Sequence, residues 1–260
     1  MEEALAPVTE TKVMHLSESE FDLLLKTLAF LATACTDIEI KNSEVHNRTD
    51  DNVVTYVMKL PFSENIDLTL ANIANFVKMM KTFSGQPVEI EENERGYVIK
   101  FVNDDVRFVY TKPHSVNNWY NRHKVDPILK TLQFEQIDIS PELLNKIRQL
   151  ANKFGSDVTV NLVDGRIRLK SRDKQVTFEK EINVDNLNNK FIFNILQHAL
   201  PSIPFVEQAS IHVAKFVPPN AISTEDFNVF YKIETMVEIN KSLIPFTVYG
   251  LAQPMMSEDE

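Results

Sequence analysis

Apolar positions along this chain fall into an order that recurs. A short alternating segment precedes a stretch with apolar residues three and four apart, and three more short alternating segments follow. The cleanest copy sets Leu143, Leu144, Ile147, Leu150, Ala151 and Phe154 at helical spacing, then alternates through Val158, Val160, Ile167 and Leu169. Such spacing predicts an amphipathic helix backed by a small strand meander. Ser140 is placed to cap the helix, Pro141 to occupy its first position and Gly155 to stop it. Asp164-Gly165 between two alternating runs predicts a tight hairpin.

A second clear copy begins with a strand at 66–70 and a helix carrying Ile73, Phe76, Val77 and Met80, closed by Gly85. Strands at 88–90, 97–102 and 106–110 follow. Two fainter copies flank these. In the first, a strand at 11–15 leads into a helix opened by Ser17 with Glu20 three residues on, the arrangement of a capping box. Phe21, Leu24, Leu25, Leu28, Leu31 and Cys35 carry its helical spacing, and strands at 38–40, 43–46 and 53–60 come after it. In the last, a strand at 191–195 is followed by a short helix over 196–202, broken by Pro201 and Pro204, and strands at 211–216, 230–239 and 247–251. One helix and one meander cannot bury their own apolar faces, so the repeats must pack on each other. The prediction is an α+β chain of two similar domains, each made of two strand-helix-three-strand repeats.

Residues 112–131 interrupt the pattern. They hold two prolines, the only tryptophan (Trp119), Tyr120 and the basic run Arg122, His123, Lys124. A long irregular segment between regular units is uncommon and serves as a linker or a functional loop. The domains are therefore 1–111 and 132–260, with 112–131 connecting them. The tail from 255 to 260 is acidic.

Charge narrows the function. The chain has 260 residues with 37 acidic and 27 basic side chains, a net charge of -10. A protein that holds nucleic acid by charge alone is normally basic. A localised basic face on an acidic body remains open. The single cysteine allows no internal disulfide, and no secretory leader is visible, which together fit a reducing cytoplasm or nucleus. No apolar run is long enough to span a bilayer.

Motifs of catalysis are missing from the sequence. The five glycines are isolated, so no phosphate-cradling loop is expected. The six histidines show no pair at metal-ligand spacing. Asp50-Asp51 and Asp104-Asp105 sit in turns, where aspartate is at home. Cys35 lies on the apolar side of the first helix, as a buried thiol does. The expectation is a chain that is not an enzyme and uses no cofactor and no metal.

The fourfold order, with a long connector in the middle, resembles the DNA sliding clamp family, and within it the trimeric clamps similar to proliferating cell nuclear antigen and the processivity clamps of T-even phages. The likeness runs from about residue 11 to 254. Its best local carriers are Ile137-Asp138-Ile139-Ser140 entering the third helix, Asp164-Gly165-Arg166-Ile167 in its hairpin, and Tyr249-Gly250-Leu251-Ala252-Gln253-Pro254 before the acidic tail. Two features depart from it: the fourth helix is short and carries no basic residue, and the loop 217–226 is long.

The resemblance implies a homotrimeric ring that encircles duplex DNA and tethers a DNA polymerase, loaded by a separate clamp loader, inside a cell and including a virus-encoded setting, with no membrane partner. Helices would line the hole, with Lys26, Lys78, Lys81, Lys146, Arg148 and Lys153 facing DNA. No acidic residue lies within 71–85 or 143–155. Such lysines are also what any solvated helix face carries. Edge strands at 106–110 and 175–182 would pair between subunits, engaging Val106, Phe108, Tyr110, Val176 and Phe178. Client peptides would dock against Val125, Ile128, Leu129 and Leu132 of the connector and Leu251, Ala252 and Pro254 of the last strand. Two rivals stand beside the ring: a monomeric clamp-like processivity factor that binds DNA by charge, and a clamp-fold scaffold that never encircles DNA.

Overall fold

The computed structural model describes residues 12–50, 53–113, 122–184, 187–200, 204–207, 209–221, 223 and 227–255, apart from the side chains of 122–126 and 198. Trp119 and Tyr120 of the connector lie outside them.

Each repeat begins as the sequence dictates. β1 (Lys12–Leu16) buries Met14 and Leu16 and runs into α1 (Glu18–Leu31) through a capping box: the Ser17 N–H donates to Glu20 Oε2 at 2.9 Å and the Glu20 N–H to Ser17 Oγ at 3.4 Å. β2 (Ile38–Lys41), β3 (Glu44–Arg48) and β4 (Val54–Lys59) complete the first repeat. β5 (Leu68–Leu70), α2 (Ile73–Met80), β6 (Val88–Asn93), β7 (Gly96–Phe101) and β8 (Val106–Thr111) form the second. Asn72 caps α2, and the chain leaves it through a single 3-10 turn before Gly85 at φ 84°.

The connector contradicts the reading of 112–131 as an irregular loop. Residues Arg122–Thr131 form a helix, α3, with Pro127 inside it. That proline has no N–H for the carbonyl of residue 123, and an internal proline is why helical spacing alone did not reveal the element.

β9 (Glu135–Ile139), α4 (Pro141–Phe154), β10 (Val158–Asn161), β11 (Arg166–Lys170) and β12 (Thr177–Glu181) make the third repeat. Ser140 Oγ accepts from the Leu143 N–H at 3.3 Å, and Gly155 closes α4 at φ 61°. In the hairpin after β10, Asn161 Oδ1 accepts from the N–H groups of Val163 and Asp164, both at 2.9 Å, and Gly165 takes φ 64°. The fourth repeat has β13 (Ile192–Ile195), β14 (Ala209–Phe216), β15 (Asn228–Ile239) and β16 (Ser242–Ala252), followed by β17 (Pro254–Met255). Its expected helix over 196–202 is replaced, within the described residues, by one 3-10 turn at Gln197–Ala199. The prolines at 201 and 204 leave no room for a regular helix to propagate.

The repeats interlock crosswise. β1 of the first pairs with β6 of the second, and β5 of the second with β2 of the first. In the other half β9 pairs with β14 and β13 with β10. The resulting sheets run β1-β6-β7-β8, β12-β11-β10-β13-β17, and β5-β2-β3-β4-β16-β15-β14-β9. The last joins the two halves through an antiparallel ladder from Val54–Gly250 to Met58–Phe246.

Burial follows this plan. Inner faces of the sheets and the packed sides of the helices form one continuous apolar cluster that includes Leu24, Leu28, Phe101, Ile147, Val160, Phe193, Tyr231 and Phe246. α1 packs on α2 on one side. On another its Phe30 meets Tyr56 at 6.0 Å and Phe246 of the C-terminal half at 5.9 Å. Burial of Leu23, Thr27 and Phe30 in addition to the expected stripe leaves α1 a narrow exposed strip.

Candidate nucleic-acid and partner interfaces

Five of the six cations assigned to the helix face are exposed where the spacing places them. Lys26 of α1, Lys78 of α2, Lys81 just beyond it, and Lys146 and Lys153 of α4 all reach solvent. Two are partly engaged. Lys26 Nζ donates to Asn240 Oδ1 in the β15–β16 turn at 2.6 Å, and Lys146 Nζ stands 5.5 Å above the Phe178 ring. Between α1 and α2 a groove of about 210 Å³, lined by Asp22, Lys26, Val77 and Lys81 among others, opens on the same side.

Arg148 is the exception and corrects the sequence reading. It is 7% exposed and lies in the packed stripe of α4 with Leu144, Ile147 and Ala151. Desolvation pushes its guanidinium below the usual arginine range. The buried stripe is centred on 144, 147, 148 and 151, so Leu143, Leu150 and Phe154 fall on its half-buried flanks. An apolar count weights those three leucine and phenylalanine positions and rotates the helix accordingly. An arginine can occupy the stripe because its methylene stem packs like an aliphatic chain. Asn145 holds the chain beyond the 3-10 turn: its Nδ2 donates to Phe205 O at 2.7 Å and its Oδ1 accepts from the Phe205 N–H at 3.0 Å.

The two strands assigned to subunit pairing both end their sheets. Among the described residues, β8 borders only β7, and β12 borders only β11. The Lys112 N–H donates to Arg95 O at 3.1 Å, which sets the antiparallel alternation and turns the N–H groups of Arg107, Val109 and Thr111 away from β7. The Ile182 N–H donates to Gly165 O at 2.8 Å and likewise turns those of Thr177, Glu179 and Glu181 away from β11. Of the side chains named for this interface, Phe108 contacts Phe83 and Phe101 at 5.2 and 5.8 Å, and Tyr110 meets Phe76 at 5.6 Å. The Tyr110 hydroxyl accepts from the Ala71 N–H at 2.7 Å and donates to Ala71 O at 3.0 Å. Val106 and Phe178 are also half-buried against the chain's own core. These four stiffen the edges from within. The exposed face of β8 is Arg107, Val109 and Thr111, with Val109 74% exposed, and Val176, beside β12, is 52% exposed.

At the connector, Ile128 is 41% exposed and Leu129 and Leu132 are half-buried; the Val125 side chain lies outside the described residues. Leu251 is 40% exposed opposite Phe230, Ala252 is half-buried, and Pro254 pairs with Phe193 in β17. The structure adds aromatic residues that the sequence reading missed. Phe134, directly after the connector, meets Phe230 at 6.0 Å, and Phe230 meets Tyr249 at 6.0 Å. Lys232 lies 5.4 Å over Phe134, and His212 packs edge-on to it at 6.3 Å. The signal was present in the alternation. In β15 the buried positions include Val229, Tyr231 and Ile233, so Phe230 is an aromatic in the outward phase.

His212 Nε2 lies 2.9 Å from Glu234 Oε2 in this patch. Burial, reinforced by the charge of Lys232, holds its imidazole below the ordinary histidine range, against the opposing pull of Glu234 and Asp138. Among the described residues no group of three or more His, Cys, Asp or Glu side chains comes together to hold a metal, and no helix is long and apolar enough to cross a membrane.

The fold resembles that of solved proliferating cell nuclear antigen and DNA polymerase III β-subunit structures. A PCNA2–PCNA3 complex from Sulfolobus tokodaii is similar at a TM-score of 0.52 and 8% identity, over 93% of this chain and 99% of that one. Proliferating cellular nuclear antigen from Entamoeba histolytica is similar at 0.55 and 10% identity, over 94% and 98%. A putative DNA polymerase III β subunit from Eubacterium rectale is similar at 0.56 and 12% identity, over 97% of this chain and 68% of that one. At such identities the likeness is one of fold. No protein-family model and no curated protein matches the sequence.

Proposed function

We propose that this chain is a clamp-fold scaffold for DNA replication proteins, acting as a closed ring on duplex DNA that tethers a polymerase. Two clamp domains, 1–111 and 132–260, joined by the connector 112–131, would make one subunit of a homotrimer. The observation that carries the reading is the pair of sheet edges. β8 and β12 each turn a row of backbone donors outward, and such edges are normally covered or blunted. Pairing β8 of one copy with β12 of the next is heterologous and closes when the rotation between subunits divides a circle. A ring holds DNA by enclosure, which reconciles an acidic body with a polyanionic ligand. The exposed cations Lys78, Lys81 and Lys153, on helix stretches free of acids, would face the duplex with Lys26 and Lys146. Client peptides would dock on the Phe134, Phe230, Tyr249 and Leu251 patch together with Ile128, Leu129 and Leu132.

The second reading is a scaffold that does not encircle DNA. The burial of Arg148 and the reduction of the fourth helix to a 3-10 turn favour it, since both thin the cationic lining. Loading on nicked circular DNA separates the two. The ring predicts retention that is lost on linearisation and a solution mass near three times 29.9 kDa. Indifference to DNA topology, or a mass of one chain, would leave the scaffold.

A further inference from the structure

The outer face of the five-stranded sheet, away from α4, carries a trough of about 280 Å³. Its floor is built in rows across the strands. Met255 of β17, Ile192 of β13, Asn161 of β10 and Arg166 of β11 are successive partners in one row. Asn194, Thr159 and Arg168 form the next, and Lys170 continues β11 at the end where Asp157 lies. Three cations thus stand on alternate positions of one strand, all facing out, while the two central strands supply neutral amides and a hydroxyl. Arg166 and Arg168 both reach Glu179 of β12, at 3.1 and 2.9 Å, which fixes their guanidinium groups at the trough wall. Nothing in the proposed ring or client surface uses this face.

We propose that the trough is the docking site of the chain's own acidic segment, Glu258-Asp259-Glu260. The argument is position, reach and charge. Met255, the last described residue, lines the trough and shares a row with Arg166. From β17 to β11 is three strand spacings, about 14 Å. An extended chain of three to five residues covers about 10–17 Å, so residues 258–260 come level with β11. The segment places three carboxylates within that interval, and carboxylates beside arginine make the stronger, charge-assisted hydrogen bonds. Docked there, it shields the cations of the outer wall from other polyanions, including DNA that is not threaded through a ring. The proposal stands whether or not the chain forms that ring.

The test uses the full chain and the variant E258Q/D259N/E260Q, whose substitutions fall outside the described residues. Side-chain Nε–Hε and backbone amide NMR signals of Arg166 and Arg168 are compared. Docking predicts that they move on neutralising the acids, and move the same way for the unmodified chain in about 0.5 M salt, where charges are screened beyond about 4 Å. A fluorescent Ser-Glu-Asp-Glu repeat peptide then serves as a probe in trans. It should bind only the acid-neutralised chain, and lose that binding when R166Q/R168Q/K170Q are added. Arginine signals that ignore the acidic segment would overturn the proposal. So would equal peptide binding by both chains, which would assign the trough to a partner's acidic segment instead.

Discussion

Gly250 of β16 lies opposite Tyr231 of β15, and a methyl group added there would stand 2.1 Å from Tyr231 Cζ and 2.2 Å from its hydroxyl oxygen. No real contact is that short, so ring or strand must shift. The ring has nowhere to go: Tyr231 is fully buried and stacks on Phe193 of the neighbouring sheet at 6.0 Å. Gly250→Ala is therefore expected to destabilise the chain by about 1–3 kcal/mol, the range for extra volume forced into a filled core. Backbone effects run the other way. Gly250 is not at positive φ, and alanine in an ordinary strand gains roughly 0.5–1 kcal/mol over glycine. The sign should accordingly reverse in a Tyr231→Leu background, where the space near Cζ is open; the backbone term is common to both backgrounds, so the coupling between the two sites is the packing term, about 1–3 kcal/mol. Urea unfolding followed by circular dichroism on the four members of the cycle measures it. A Gly250→Ala chain as stable as the parent, or the same change in both backgrounds, would refute the packing argument.

Charge reversal should separate the α4 cations. Lys146→Glu with Lys153→Glu leaves the circular dichroism spectrum and unfolding midpoint nearly unchanged and, on the proposed ring reading, weakens retention on nicked circular DNA, whereas Arg148→Glu collapses the fold, because it places a carboxylate in the buried stripe; a soluble, folded Arg148→Glu chain would count against its burial. Val109→Pro removes an outward donor of β8 without touching the β7–β8 ladder, so light scattering should show assemblies falling to the 29.9 kDa chain while the fold persists; an unchanged mass would clear β8 of any pairing role. Since the His212 imidazole is held below its unfolded value, near 6.5, the unfolded chain takes up a proton first as pH falls. Its contribution to stability is complete above that value and fades as pH drops toward the folded pKa. His212→Phe should flatten the slope of stability against pH in that window, and a slope left intact would point to another group.

Repeat order, helix caps and hairpins were readable because each is a local matter: Ser17 with Glu20, Ser140 with Pro141, Asp164 with Gly165. The exchange of β1 and β5 between sister repeats was not, because an alternating segment looks the same whichever sheet receives it. Helix α3 was hidden by Pro127, and the last helix was overestimated because leucine at 196 and 200 suggests a face that Pro201 then forbids. At the candidate sites, positions were legible and orientations less so. Lys78, Lys81 and Lys153 emerge as expected, but the facing of Arg148 depended on rotating α4 by about one residue, which only its packing partners decide. Phe230 and Tyr249 escape assignment to a surface patch because apolar residues in a strand read as core until the phase each occupies is considered.

The ladder between β4 and β16 makes the eight strands from β5 to β9 a single plate through the middle of the chain. Bending the molecule at its waist would break that ladder and prise Phe30 from Phe246. In an annulus built from such subunits, compliance is concentrated at the joints between neighbours, and a machine that springs it open would act as a wedge there.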